Sequence, residues 1–293
     1  MARRIDTVDA LARRRPEAVL SVDVEDYFHV EAFSDRVDRD RWGEWESRVE
    51  ANTARILELF AAHGVRGTFF VLGWVAERFP RLVEDIAVQG HEVACHSFWH
   101  RLIYGLSRDE FRDDSQRAKA AVEEAAGVQV RGYRAPSFSV TERSLWALEV
   151  LAELGFEYDS SVFPIHHDVY GLPSAPRRPY EVQTPSGTIV EYPLTTFLAL
   201  HRFKLPVGGG GYLRLLPWRY TLLGMGMAAR QGLMPIVYVH PWEVDPNQPR
   251  IPGRIRSRLR HYTHLDKMET RLTALFDRFE FIRFCDLDPT EDL

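Results

Sequence analysis

The sequence contains little cysteine, no long apolar run and no excess of positive charge. Its 293 residues include only two cysteines, Cys95 and Cys285, which are too few for a disulfide framework. No apolar stretch approaches the length of a membrane span, and the N-terminus lacks the apolar core of a signal peptide. The formal net charge is −5, and nothing in the composition points to nucleic acid as a partner. We therefore expect a cytoplasmic globular protein.

Strand-like and helix-like patterns alternate along most of the chain, and no polar linker or internal repeat divides it. This alternation favours a parallel sheet with right-handed crossovers, and about seven such units predict closure into a barrel. A length of 293 residues is typical of one α/β barrel. We therefore expect a single domain over residues 1–293.

Residues 162–212 interrupt this rhythm, because they are rich in Pro, Gly, His and aromatic residues. We expect them to form an insertion on the barrel that contains a hairpin, in which YEVQT and TIVEYP are joined by a turn at residues 185–187. The tetraglycine 208–211 lacks the Lys and Ser/Thr of a phosphate-binding P-loop. A flexible loop, or a close approach of the backbone to a sugar, is the better interpretation.

Two histidines stand four residues apart in VACHSFWH, at the end of an apolar run. At this spacing His96 and His100 would lie on one side of a helical turn and could bind one divalent metal ion. Taken alone, such a pair is more often explained by ordinary core or surface histidines. The metal hypothesis gains weight because other strand-like segments also end in residues capable of chemistry.

Four further strand-like segments end in a charged or titratable residue, namely Asp23, Arg134, Asp159 and His240. The carboxyl ends of barrel strands meet at one face, where active sites are built. Asp23 and His240 end the first and penultimate strands, so we expect them to be neighbours through the closing strand. A solvated acidic loop and an exposed ion pair are the ordinary alternatives for Asp23 and Arg134. An arginine beside Asp23 would instead orient that carboxylate, and His240 is the best candidate for a general acid.

These segments resemble the motifs of the polysaccharide deacetylases, the NodB-homology group of carbohydrate esterase family 4. HSFWH is similar to the family's metal-binding H-[ST]-x-x-H motif, and Arg134-Ala-Pro to its R-x-P motif. Asp159-Ser-Ser is similar to D-S-S, and Val239-His240-Pro to L-x-H. The motifs occur in the family's order and span residues 18–242. The resemblance implies a distorted (β/α)7 TIM-like barrel, in agreement with the strand and helix pattern.

Further segments resemble one subgroup, the deacetylases associated with exosortase-type exopolysaccharide gene clusters in bacteria. These segments are DVEDYFHVEAF, RAPSFS, YDSSVFP, GGGGYLRLLP and YVHPWE. The resemblance then covers nearly the whole chain and implies a subgroup-specific C-terminal part over about residues 195–293. It also implies a role in exopolysaccharide or other cell-surface carbohydrate metabolism.

The chain departs from the family at the first motif. Typical members carry T-F-D-D, in which the catalytic base and the metal-binding aspartate are adjacent, whereas Val24 follows Asp23 here. By the D-x-D spacing of some relatives, Glu25 would be the metal ligand, since it lies on the same strand face as Asp23. Asp26 is the reserve ligand if the chain has already turned.

The resemblance implies a hydrolase that removes N-acetyl groups from an amino-sugar polysaccharide or its precursor. Its metal would be held by Glu25, His96 and His100, with zinc as first choice and cobalt, manganese or nickel as alternatives. Asp23 would act as base, His240 as acid, and Arg134 would orient Asp23. A backbone N–H at or near Tyr27 would stabilise the oxyanion. Contacts with the glycan are expected from Tyr27, Phe138, Asp159 and Trp242.

Two other functions are compatible with the same fold. Allantoinase-like and cyclic-imide-hydrolysing relatives open small ring amides, but they often lose part of the metal set, whereas both histidines are kept here. A catalytically inactive barrel that only binds glycan would be expected to lack the base or the acid, yet Asp23 and His240 are both present. The sugar, the choice between polymer and lipid-linked substrate, and the oligomeric state stay open.

Overall fold

Seven parallel strands form the central sheet of the protein. The structure is a computed structural model, and it describes residues 15–167, 169–200 and 202–287. In sheet order the seven strands are β10 (Ile236–Val239), β1 (Glu17–Val24), β2 (Thr68–Val71), β3 (Glu92–Cys95), β4 (Gly132–Tyr133), β5 (Tyr158–Asp159) and β7 (Gly187–Glu191). Within the described residues this order matches the predicted distorted (β/α)7 barrel, which is confirmed.

The connecting helices cover the outer face of this sheet. They are α1 (Val49–His63), α2 (Gly73–Arg78), α3 (Pro80–Val88), α4 (Arg108–Ala126), α5 (Trp146–Glu153), α6 (Gly210–Leu215), α7 (Trp218–Arg230), α8 (Ile255–Tyr262) and α9 (Met268–Phe276). Because the strands are covered on both faces, β1 and β2 are buried and almost continuously apolar. A capping box of Ser107 and Glu110 opens α4, and Gly127 ends that helix in the left-handed conformation. No described helix is long and apolar enough to cross a membrane.

The strand order corrects one expectation about the closing strand. Strand β11 (Glu280–Ile282) pairs with the first half of β1, and β2 pairs with the second half on the same edge. Strand β10 pairs directly with the other edge of β1, in register from Val19 with Ile236 to Val22 with Val239. The ends of β1 and β10 are therefore immediate neighbours, and no strand lies between them.

The segment predicted as an insertion supplies part of the barrel. The predicted hairpin is present as β6 (Tyr180–Thr184) and β7, which pair antiparallel. Strand β7 also pairs in parallel with β5 and so becomes the seventh barrel strand. Strands β8 (Thr196–Ala199) and β9 (Phe203–Pro206) form a separate two-stranded sheet.

Single contacts, rather than a strand ladder, bridge the gap between β7 and β10. The Thr195 hydroxyl accepts a hydrogen bond from the Ile236 N–H at 2.6 Å, and Tyr238 N–H donates to the Gly208 carbonyl at 3.0 Å. A Cβ atom on Gly208 would lie 2.4 Å from the Ile236 carbonyl oxygen, and one on Gly209 2.4 Å from that of Tyr238. The first two residues of the tetraglycine thus make their close backbone approach to β10, and not to a sugar.

We predict that Gly208→Ala destabilises the protein by about 2 kcal/mol or more, because Gly208 has a φ of +108° and its new methyl group would overlap β10. The matched control is Gly226→Ala on α7, where a Cβ meets no atom within 4 Å. That change should stabilise the helix by about 0.5–1 kcal/mol. Chemical denaturation measures both free energies of unfolding. Equal stabilities for the two variants would contradict the proposed closure of the barrel.

Candidate active site

The carboxyl ends of the barrel strands bring the predicted chemical residues to one cleft. Asp23 is the penultimate residue of β1. His96 directly follows β3, Arg134 follows β4 and His240 follows β10. The cleft has a volume of about 700 Å³. Its walls include Asp23, His96 and His240 together with Glu25, whereas Arg134 is buried behind them.

Three side chains in this cleft form a donor set for a metal ion. One ligand atom from each of Glu25, His96 and His100 lies within 4.8 Å of the other two, and all three residues are buried. His96 Nδ1 lies 2.8 Å from the carbonyl oxygen of Arg134, which fixes the ring and leaves Nε2 for a ligand. His100 Nε2 lies 2.9 Å from Glu25 Oε2.

The two histidines do not lie on a helical turn, so that premise of the sequence prediction is wrong. They follow β3 in a loop in which Ser97 and His100 both adopt positive φ, at 61° and 49°. The Ser97 hydroxyl accepts a hydrogen bond from the His100 N–H at 3.0 Å and holds this tight loop. The loop, rather than a helix, brings the two imidazoles to a ring separation of 5.4 Å.

The protonation states of these groups suit a cation. Burial raises the pKa of Glu25, but the neighbouring His100, His240 and His96 outweigh this and lower the pKa below its usual range. Burial lowers the pKa of His96 to about 4, so that its imidazole is neutral near pH 7. One carboxylate and neutral imidazole are ligands that zinc prefers. Apart from its contact with His100 Nε2, the buried Oε2 of Glu25 has no hydrogen-bond partner among the described residues.

Asp26, the reserve ligand, points away from this donor set. Its Oδ2 accepts hydrogen bonds from the Ser47 hydroxyl at 2.6 Å and from the N–H groups of Arg48 and Val49 at 2.9 and 3.2 Å. Asp26 therefore satisfies the free donors at the start of α1. Of the two acids left open by the sequence, only Glu25 faces the histidines.

Arg134 fixes one oxygen of Asp23. Arg134 Nη1 donates to Asp23 Oδ1 at 2.8 Å and to the Ser21 hydroxyl at 2.7 Å. The same guanidinium donates to the carbonyl and hydroxyl oxygens of Ser160, both at 3.1 Å, and lies 4.1 Å from the centre of the Phe70 ring. The arginine is fully buried, so these contacts leave the carboxylate one orientation, with Oδ2 toward the cleft.

His240 lies near Asp23 Oδ2, the carboxylate oxygen that Arg134 does not bind. Its Nε2 is 3.8 Å from Asp23 Oδ2 and 3.5 Å from Glu25 Oε1, and its Nδ1 is 3.4 Å from Glu243 Oε2. Burial lowers the pKa of His240, but contact with Glu243 and the charges of Glu25 and Asp23 outweigh burial and raise it to about 9. The imidazole is therefore in a position, and a protonation state, to donate a proton into the cleft.

A buried ion pair that the sequence motifs do not reveal supports His240. Arg214 Nε donates to Glu243 Oε1 at 2.6 Å, and both side chains are buried. The short 3-10 helix Pro241–Val244 returns the Glu243 carboxylate to His240, whose N–H donates to Glu243 Oε2 at 3.0 Å. The sequence spacing could have indicated this contact, because residues three apart, such as His240 and Glu243, lie on the same side of a 3-10 helix.

Trp242 contacts two of the residues for which the sequence predicts a chemical role. Its indole N–H donates to Glu25 Oε1 at 3.2 Å, and its ring stacks on His240 and His261 with centroid distances of 5.0 and 4.1 Å. Phe138 also lines the cleft, and it packs edge-on against Tyr238 with ring centres 4.8 Å apart. Both residues lie where contact with a substrate was predicted.

Tyr27 and Asp159 do not lie where that contact requires. The Tyr27 N–H, considered for the oxyanion, donates to Asp26 Oδ1 at 3.1 Å, and its side chain is buried away from the cleft. Asp159 is fully buried beside Glu191, and burial raises the pKa of both carboxyl groups. Asp159 accepts from the Ser161 hydroxyl at 2.6 Å, and that hydroxyl accepts from the Ala135 N–H at 2.7 Å. The Asp-Ser-Ser segment therefore supports the loop after Arg134, and it does not line the cleft.

Two family profiles match successive parts of the chain. Residues 40–158 match polysaccharide deacetylase, and residues 160–288 match a domain of unknown function, DUF3473. A peptidoglycan-N-acetylglucosamine deacetylase of Bacillus cereus is 34% identical over 98 residues, which are 33% of this chain and 36% of that protein. A chitooligosaccharide deacetylase of Sinorhizobium fredii is 33% identical over 100 residues, 34% of this chain and 44% of that protein. The matched region thus spans less than half of each of these curated relatives.

Solved structures share the fold. A Mycobacterium smegmatis protein described as a polysaccharide deacetylase superimposes with a TM-score of 0.58 at 24% identity, covering 92% of this chain and 86% of that one. A carbohydrate esterase family 4 pseudoenzyme of Bacillus anthracis gives a TM-score of 0.50 at 17% identity, covering 93% and 65%. The family match over residues 40–158, which contain the HSFWH and Arg134-Ala-Pro motifs, therefore shows a polysaccharide deacetylase domain of the NodB-homology group, carbohydrate esterase family 4, in that part of the chain.

Proposed function

We propose that the protein is a metal-dependent hydrolase that removes N-acetyl groups from an amino-sugar glycan. The observation that carries this proposal is the placement of Asp23 and His240 next to each other and beside the Glu25, His96 and His100 donor set. A base, an acid and a cation site in one cleft are the parts that amide hydrolysis needs. The family match and the names of the curated relatives support an N-acetylated sugar as the substrate.

The residues of this chain divide the reaction between them. When bound, a divalent cation held by Glu25, His96 and His100 would polarise the acetamide carbonyl and acidify a water molecule. Asp23 Oδ2, the oxygen not held by Arg134, accepts a proton from the attacking water, whose oxygen forms a new bond to the carbonyl carbon. His240 Nε2 donates a proton to the amine nitrogen as the carbon–nitrogen bond breaks. The products are acetate and the free amine.

The choice of metal and the biological setting extend the proposal. Zinc suits a set of two imidazoles and one carboxylate that leaves positions for water and substrate, although cobalt, manganese or nickel could use the same ligands. The second half of the chain resembles exosortase-associated deacetylases, and the DUF3473 match is compatible with that subgroup. We therefore propose a role in exopolysaccharide or other cell-surface glycan metabolism.

The first prediction concerns the reaction itself. The purified protein should release acetate from N-acetylated glycans, a chelator should abolish the release, and zinc should restore it. Asp23→Asn should reduce turnover by about a thousandfold or more while metal stays bound, because Asp23 is not in the donor set. Acetate release from a panel of glycans, with allantoin as comparison, measures this. Opening of allantoin without acetate release would favour the cyclic-amide alternative, and no turnover of any substrate would favour an inactive glycan-binding barrel.

The second prediction concerns the metal site. Zinc at a hundred times its dissociation constant should stabilise the folded protein by about 2.7 kcal/mol, since it binds only the assembled site. His96→Ala and His100→Ala should each remove this stabilisation. His63→Ala is the matched control, because His63 lies at the end of α1, outside the donor set. Unfolding with and without zinc, together with the zinc content after dialysis, tests it. Full stabilisation of His96→Ala would refute the ligand assignment.

The third prediction concerns His240. Glu243 raises the pKa of His240, and the acid must be protonated to work, so activity falls at high pH as His240 loses its proton. Glu243→Gln keeps the shape but removes the charge. It should move the alkaline limb of the kcat/KM profile to lower pH and lower kcat about 10–100-fold. Glu269→Gln, which neutralises a surface partner of Arg55, should leave the profile unchanged. An unshifted limb in Glu243→Gln would contradict the role given to Glu243.

A further inference from the structure

Helix α8 presents two large apolar side chains to solvent. Ile255 is 75% exposed and Leu259 is 60% exposed. Residues four apart lie one above the other on the same face of a helix, so these two form a short apolar strip. Neither side chain contributes to the buried core of the described residues. The strip is therefore accessible for contact with another molecule or surface.

Arginines flank this strip on both sides. Five arginines and no acidic residue occur between positions 250 and 260, at Arg250, Arg254, Arg256, Arg258 and Arg260. All five are exposed, and within the described residues none of them forms an ion pair. At about 3.6 residues per turn, Arg256 and Arg260 fall on one side of the apolar strip and Arg258 on the other, while Arg254 directly precedes the helix. This is the pattern of a helix that lies in an anionic interface.

The patch adjoins the mouth of the active-site cleft. Arg254, Ser257 and Arg260 line the cleft, and so does Leu215 at the end of α6, which is itself 40% exposed. Two acids of the loop after β1 also line the cleft, and each has its own partner, since half-buried Glu31 lies 3.6 Å from Arg39 and exposed Asp35 lies 3.7 Å from Arg36. Among the described residues Arg254 and Arg260 have no ion-pair partner, so they bring unneutralised positive charge to the rim.

We propose that Ile255, Leu259 and the surrounding arginines form a binding surface for the headgroup region of an anionic membrane. The apolar strip favours a lipid surface over a soluble acidic glycan, which would leave Ile255 and Leu259 without an apolar partner. Arginine side chains can lie along the interface with their guanidinium groups on lipid phosphates. Docking through α8 would place the cleft mouth beside the membrane surface. The inference goes beyond the proposed reaction and does not depend on it.

Sedimentation of the full chain with lipid vesicles tests the proposal. The protein should bind vesicles of phosphatidylcholine mixed with phosphatidylglycerol, bind pure phosphatidylcholine weakly, and lose binding as salt is added. Arg256→Gln with Arg258→Gln should weaken binding about tenfold or more. Ile255→Ser with Leu259→Ser should also weaken it, but binding should keep its dependence on salt. None of these four residues lines the cleft, so hydrolysis of soluble substrate should be unchanged.

Matched controls make the result specific to α8. Arg230→Gln with Arg278→Gln removes the same charge from exposed positions just before β10 and β11, and Val88→Ser removes an apolar side chain that is 79% exposed at the end of α3. These variants should bind vesicles like the unmodified protein. The proposal is overturned if the unmodified protein does not bind anionic vesicles, or if the α8 variants and the controls bind equally. Binding of alginate but not of vesicles would assign the patch to an acidic glycan instead.

Discussion

The buried ion pair of Arg134 and Asp23 is the interaction on which the geometry of the cleft depends. Two charges this deeply buried are stable only when further hydrogen bonds replace the lost water, and Arg134 finds these on Ser21 and Ser160. Those bonds join β1 to the segments that follow β4 and β5. The Asp-Ser-Ser segment therefore contributes to the geometry of the cleft through Arg134, because it sets the orientation of the arginine that in turn orients Asp23.

A second buried pair has the equivalent role for the acid. Arg214 holds one oxygen of Glu243, and the other oxygen faces His240. Asp23 and His240 are thus each supported on one side by a contact between an arginine and a carboxylate. The other side of each residue is open to the cleft. Trp242 connects the two halves, since it stacks on His240 and donates to Glu25. Arg214 and Glu243 belong to the part matched by DUF3473, so both matched parts of the chain build one site.

The sequence predicted well what depends on local pattern. Apolar runs ending in Asp23 and His240 were readable as strands, and parallel strands bring their ends to one face. It predicted poorly what depends on contacts between distant segments. Asp26 does not face the histidines because its carboxylate binds N–H groups at the start of α1, and Asp159 does not line the cleft because it is buried beside Glu191. His96 and His100 lie close together because Ser97 and His100 adopt left-handed conformations in a loop, and not because the two histidines share a helical turn.

The proposed function requires Glu25, His96 and His100 to hold a metal ion while Asp23 stays free to act as base. Diffraction at the zinc absorption edge from crystals of the zinc-loaded protein would locate such an ion. We expect one anomalous peak in the cleft, with one oxygen of Glu25 and one nitrogen of each histidine at about 2.0–2.2 Å and Asp23 beyond bonding distance. A peak bound by Asp23 in place of Glu25, or no peak between the two histidines, would contradict it.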